Sequence, residues 1–157
     1  RRGDAGGLPD PGERRGAPVF SFLRVNDEPI LLKCQIKHPD QVIIFDLSLV
    51  DEREIIQEVK LGGTILINTN WEIDSFKTLS TFKICLINAS PIARSAGLGD
   101  TFNTAMLGAY VRLTHLVKAE TLIEAVRVMV PSKVEANVQA LKEAYEKVKI
   151  YQPEELN

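Results

Sequence analysis

The period of apolar and polar positions changes along this chain, and the changes mark its elements. Val19, Phe20, Phe22, Leu23 and Val25 make Pro18–Val25 a predicted strand. Asn26-Asp27-Glu28 supplies turn chemistry, and Ile30, Leu31, Leu32, Cys34 and Ile36 resume the apolar pattern over Pro29–Ile36. The two runs predict an antiparallel hairpin. His38-Pro39-Asp40 is a break, because proline pushes the preceding residue out of the helical region. Val42-Ile43-Ile44-Phe45 is a continuous apolar run ending at Asp46, the pattern of a strand covered on both faces. A helix is expected over Asp51–Val59, started by Ser48 or Asp51, with Ile55, Ile56 and Val59 on its buried side and Gly62-Gly63 at its end. Thr64–Ile67 is the next buried strand, followed by polar Asn68-Thr69-Asn70. Strand, helix, glycines and strand in that order form a crossover unit with parallel strands and a right-handed connection.

Further along, Trp71–Phe82 reads as a loop with a short helix, with Trp71 either covering the end of the sheet or stacking on a ligand. Lys83–Ala89 is a third buried strand. Pro91–Ala96 is a short helix stopped by Gly97, and Leu98-Gly99-Asp100 is a turn. Thr101–Leu113 is apolar nearly all round and is expected to be a buried helix, with Gly108 and Ala109 letting another backbone come close. Leu116–Val130 is a helix striped by Leu122, Val126 and Met129. Ser132 is placed to cap a last helix running to about Lys149, with Val134, Val138, Leu141, Tyr145 and Val148 on one face. The expected architecture is a three-layer α/β/α domain with a mainly parallel sheet, an N-terminal hairpin and C-terminal helices. Residues 1–11, rich in Gly and Pro, read as a flexible arm; 12–150 as the domain; 151–157 as a frayed tail.

Composition narrows the function classes. The 157 residues suffice for one domain with its own core, and 45% hydrophobic with 25% charged residues is ordinary for a globular protein. A formal net charge of −2 argues against a general nucleic-acid binder. No apolar run reaches membrane-spanning length and no signal peptide is visible, so a cytoplasmic location is expected. Cys34 and Cys85 are isolated in apolar runs and read as core residues, with no Cys-x-x-Cys to hold zinc or an iron–sulfur cluster. His38 and His115 lack ligand spacing, so no metal site is expected.

Candidate chemistry concentrates in two places. Gly12-Glu13-Arg14-Arg15-Gly16 packs permanent positive charge and conformational freedom into one turn before a strand, which suits a phosphate, a carboxylate or a partner's acids; a solvated loop with a local Glu–Arg pair is the simpler alternative. Asp46 and Asn68 lie at the carboxyl ends of predicted parallel strands, where open α/β sheets bind ligands. Asp100, Thr101 and Asn103 crowd the start of a helix, either as caps or around an anion. No nucleophile elbow, Walker loop or histidine pair is present, and Gly97-Leu98-Gly99 lacks the third glycine of a dinucleotide fingerprint, so no catalytic residue is assigned.

A run of short motifs goes further. Glu13-Arg14-Arg15-Gly16-Ala17-Pro18-Val19, Phe22-Leu23-Arg24-Val25 and Pro29-Ile30 resemble the γ subunit of 2-oxoacid:ferredoxin oxidoreductases, nearest the pyruvate (pyruvate synthase) branch. The likeness continues through Pro39-Asp40-Gln41-Val42-Ile43, Asp46, Gly62-Gly63-Thr64-Ile65-Leu66-Ile67-Asn68, and Asn103-Thr104-Ala105-Met106-Leu107-Gly108-Ala109, ending at Asn137 and Ala144-Tyr145-Glu146. The resemblance implies a hetero-oligomeric enzyme that converts a 2-oxo acid to an acyl-CoA on thiamine diphosphate and passes electrons through iron–sulfur clusters to ferredoxin. It places those cofactors mainly in partner subunits of the α, β and δ types, with this part near the thiamine site and helping to receive coenzyme A. Arg14, Arg15, Gly16, Asp46, Asn68 and Asn103 are then the expected contacts to substrate, coenzyme A or a partner. The family's opening strand and Gly-Arg-Gly-Gly-Gln-Gly-type loop have no counterpart here, which implies a truncated or altered N-terminus, an unpaired strand and a lost phosphate-binding loop. Two other readings stay open: a non-catalytic interaction domain, and an independent nucleotide-binding α/β protein.

Overall fold

The four central strands carry apolar side chains alternately to opposite faces of one sheet, and two different layers cover them. The structure is a computed structural model and describes residues 2–6, 20–31 and 35–155. It divides into two units, Arg1–His38 and Pro39–Asn157.

In the first unit, β1 (Arg2–Gly6) pairs antiparallel with β2 (Phe22–Asn26), from Arg2 opposite Asn26 to Gly6 opposite Phe22. This corrects two expectations. An antiparallel pair is present, but the partner of β2 is the segment expected to be an arm, and the described residues of Pro29–Ile36 are not in a strand. A ladder is built from backbone N–H and C=O groups, which glycine and alanine supply as well as any residue. Pro29, by contrast, has no N–H to give, and Asn26-Asp27-Glu28 lacks the glycine that tight two-residue hairpin turns favour. Asn26 instead accepts from the Asp27 backbone N–H at 2.9 Å, a local turn bond.

The second unit runs β3 (Gln41–Ile44), a 3-10 turn Leu47–Leu49, α1 (Glu52–Glu58), β4 (Thr64–Asn68), a 3-10 segment Ile73–Leu79 kinked at Phe76, β5 (Lys83–Ile87) and α2 (Ala89–Ser95). Then follow α3 (Asn103–Thr114), α4 (Ala119–Met129), α5 (Val134–Lys147), β6 (Lys149–Tyr151) and a 3-10 turn Pro153–Glu155. Strand order is β3-β4-β5-β6, parallel for the first three and antiparallel between β5 and β6. On one face Ile65, Ile67, Ile84 and Leu86 pack with Ile55 of α1, with Val59 just after it, and with Phe76, Leu79 and Phe82. On the other, Leu66, Cys85 and Ile87 pack with Ala89 and Ile92 of α2, Ala105, Met106 and Ala109 of α3, and Ala140 and Ala144 of α5. The α/β reading therefore holds, with helices on both faces.

The α3–α5 contact depends on a missing side chain. A Cβ built on Gly108 would lie 2.2 Å from the Leu141 carbonyl oxygen. Only glycine admits that approach, as the small-residue pattern of α3 predicts. Three details depart from the sequence reading. Ile56 is 44% exposed while Ile55 and Val59 are buried, because seven residues of helix bury one narrow stripe. Met129 is 80% exposed, since the seam of α4 on α5 closes with Leu122, Ile123 and Val126. The last helix stops at Lys147, and residues 149–151 join the sheet as β6; its cap position is Lys133, in the left-handed region at φ 52°, not Ser132.

Candidate functional site

The carboxyl ends of the parallel strands gather three of the residues singled out above. Asn68, the last residue of β4, donates its amide to the Phe45 carbonyl at 3.0 Å. Its Oδ1 accepts from the Ala89 backbone N–H, also at 3.0 Å. One side chain thus ties the exit of β3 to the first turn of α2, meeting a donor that a helix start leaves unpaired. Asp46 follows Phe45 and accepts from the Ser48 backbone N–H at 2.9 Å and from the Ser48 hydroxyl at 2.7 Å. These two bonds hold its carboxyl below the ordinary aspartate range, the hydroxyl contributing most.

The rim continues through aromatic contact. The Phe45 ring sits 6.1 Å from that of Phe102, which stands immediately before α3 and hence before Asn103. Asp46, Asn68 and Asn103 therefore border one edge of the sheet. The expected caps of α3 are not formed. Phe102 holds the cap position with no side-chain bond, and Asp100 instead pairs with Arg94 at 2.9 Å. Arg14, Arg15 and Gly16 lie outside the described residues, as does Cys34.

Behind this rim a polar chain, buried at Thr104 and Asn137 and exposed at Lys133, runs from the first turn of α3 to Gly97. The Thr104 hydroxyl donates to Asn137 Oδ1 at 2.7 Å, the Asn137 amide donates to the Lys133 carbonyl at 3.0 Å, and the Lys133 ammonium donates to the Gly97 carbonyl at 2.6 Å. Thr104 and Asn137 are the two buried polar residues of the described core, and no buried side-chain polar atom there lacks a partner.

Next to the rim lies a cleft of about 410 Å³. Leu86, Ile87 and Ile92 floor it, Trp71 stands at its lip, and Asn88 and Ser95 border it. Lys147 and Lys149 also line it. Trp71 stands out in the sequence but the cleft does not, because Lys149 continues the helical pattern of α5 and only in the fold stands on a strand beside β5. A larger, more open groove of about 710 Å³ borders α1. Its carboxylates serve the start of that helix: Asp51 accepts from the Arg53 N–H at 2.9 Å, and Glu52 accepts from the Thr78 hydroxyl.

No three His, Cys, Asp or Glu side chains among the described residues converge as a metal site, and no helix among them is long and apolar enough to cross a membrane. Cys85 is sealed in the sheet and burial pushes its thiol up to about 12, which suits a core residue and not a thiolate ligand.

Residues 11–147 match the family described as pyruvate ferredoxin/flavodoxin oxidoreductase. Pyruvate synthase subunit PorC of Methanothermobacter marburgensis is 39% identical over 138 residues, covering 87% of this chain and 76% of that one. The pyruvate/ketoisovalerate oxidoreductases common subunit gamma of Thermococcus kodakarensis is 39% identical over 145 residues, 89% of this chain and 78% of that one. The crystal structure of pyruvate oxidoreductase subunit PORC from Thermotoga maritima superposes with a TM-score of 0.78 at 30% identity, covering 96% of this chain and 83% of that one. A family match over most of the length, relatives named as subunit PorC or common subunit gamma and the shared fold agree: the chain belongs to the pyruvate ferredoxin/flavodoxin oxidoreductase family, as a γ-type subunit.

Proposed function

We propose that this chain is the γ subunit of a cytoplasmic 2-oxoacid:ferredoxin oxidoreductase, with pyruvate as the favoured acid, and that it works only within the assembled enzyme. The observation that carries this is the 39% identity to a pyruvate synthase subunit across most of both chains. Thiamine diphosphate and the iron–sulfur clusters belong to the partner subunits. Those groups supply carbanion stabilisation and electron transfer when bound. This chain supplies binding surface and orientation. Arg14, Arg15 and Gly16 are assigned to a coenzyme A phosphate, a substrate carboxylate or a partner's acidic groups, by the fork geometry and fixed charge of arginine. Asp46, Asn68 and Asn103 are assigned to the rim facing the same assembly. Asn68 acts there through its bonds to Phe45 and Ala89, so it positions the rim.

Affinity purification of the chain from its native extract, with identification of the associated polypeptides, tests this. Recovery of subunits that bring thiamine diphosphate and iron supports the assignment. A chain recovered alone, binding a mononucleotide directly, favours an independent nucleotide-binding protein instead.

A further inference from the structure

Trp71 is the sole tryptophan of the chain and is 57% exposed. Its ring is not adrift. It stacks on Phe76 with centroids 6.2 Å apart and an interplanar angle of 30°, and Phe76 is fully buried. The Trp71 backbone N–H is fixed as well, donating to Thr69 Oγ1 at 3.0 Å. A large amphipathic side chain is thus held rigid at the lip of a cleft with an apolar floor, its ordering entropy already spent.

The charges around it decide between two kinds of occupant. Four charged residues line the cleft, and they close into two pairs: Lys149 with Glu72 at 3.2 Å, and Lys147 with Glu143 at 2.7 Å. No net charge is left over for a phosphate or a carboxylate, so an anionic small molecule meets no spare counter-charge. An apolar centre, one rigid aromatic anchor and a rim of amides, a hydroxyl and compensated ion pairs match the anatomy of a protein–protein interface.

We propose that the Trp71 cleft is a docking face for a partner subunit of the oxidoreductase, whose surface there is uncharged and offers an apolar pocket for the indole. The proposal rests on the γ-subunit reading above. Trp71 is the anchor, Leu86, Ile87 and Ile92 form the dry floor, and the two ion pairs stay at the wet rim.

The test uses the assembled enzyme. This chain is labelled with fluorotryptophan, which marks Trp71 alone, and is combined with unlabelled partner subunits. The fluorine resonance is expected to shift and to lose its sensitivity to solvent on assembly. Trp71→Ala is expected to weaken association by at least ~10-fold, and Trp71→Phe by much less, since it keeps the stacking on Phe76. An assembly that forms with the resonance unmoved overturns the docking face and leaves the γ-subunit reading intact. A resonance moved in the isolated chain by adenosine diphosphate also overturns it, because the cleft is then a small-anion site. Failure of any assembly to form counts against the γ-subunit reading itself.

Discussion

Gly108 and Leu141 meet backbone to backbone: a Cβ at position 108 would lie 2.2 Å from the Leu141 carbonyl oxygen and 2.9 Å from its carbonyl carbon. The helices carrying them also hold the candidate rim in place, because α3 begins at Asn103 and α5 carries Asn137. Gly108→Ala gains about 1 kcal/mol of helix propensity and loses more to forced separation of the helices, since overpacking costs roughly 1–3 kcal/mol or more. A net loss of stability by urea denaturation is expected. A stabilised variant would show that the helices have room.

Thr104 and Asn137 form the buried hydrogen bond beside that contact, at 2.7 Å. Asn137→Ala takes away the acceptor of the buried Thr104 hydroxyl, while the Lys133 carbonyl keeps its bond from the residue 137 backbone N–H, and is expected to cost about 1–3 kcal/mol. Thr104→Val removes the hydroxyl while keeping shape and is expected to cost less in the Asn137→Ala background than alone. A double-mutant cycle with no coupling would contradict the bond.

Asn68 is expected to show a structural cost at a candidate site position. Asn68→Ala removes the bonds to Phe45 and Ala89 together. A loss of about 1–3 kcal/mol by thermal or urea unfolding is expected. Asn68→Asp keeps an acceptor for the Ala89 N–H but sets a carboxylate oxygen against the Phe45 carbonyl, so it should rescue only in part.

Cys85 links burial to pH. Its thiol is pushed up to about 12, chiefly by desolvation and against the pull of Lys83. The folded state holds the proton more tightly than the unfolded chain. Its contribution to stability is therefore complete below the unfolded thiol's pKa and is lost as pH rises from there through the folded value. In a Cys34→Ser background, a thiol reagent at pH 8 should react with Cys85 only as fast as the chain unfolds. Rapid labelling of the native protein would refute its sealing.

Asp46 carries the opposite shift. Its bonds to the Ser48 hydroxyl and backbone N–H lower its pKa, so its contribution is present above the unfolded aspartate value and is lost as pH falls through the lowered one. Titration followed by NMR should place its midpoint below that of an ordinary aspartate, and Ser48→Ala should raise it. A midpoint unmoved by Ser48→Ala would assign the shift elsewhere.

The sheet was legible because strands covered on both faces read as continuous apolar runs; which residue serves which face follows from the strand's alternation once the sheet exists. Ile65 and Ile67 against Leu66 separate the two sides of β4, and Ile84 and Leu86 against Cys85 and Ile87 separate those of β5. Gly108 was legible because only a missing side chain explains glycine in an apolar helix. β6 was not. Lys149-Ile150-Tyr151 continues the apolar spacing of α5, and only pairing with β5 decides its state. β1 was hidden likewise: Arg-Gly-Asp-Ala-Gly has no side-chain pattern, and its strand is set by a partner distant in sequence, Gly3 opposite Val25 among the pairs. At the rim, position could be read from strand ends, but the role of Asn68 could not, because Phe45 and Ala89 meet it only in three dimensions.

The most direct measurement is 2-oxo-acid-dependent reduction of ferredoxin, with coenzyme A present, by the native complex purified through this chain and by this chain alone. The complex is expected to turn over pyruvate and the isolated chain to show none. Turnover by the isolated chain, or a purified complex that reduces no ferredoxin with any 2-oxo acid, would contradict its role as a γ subunit.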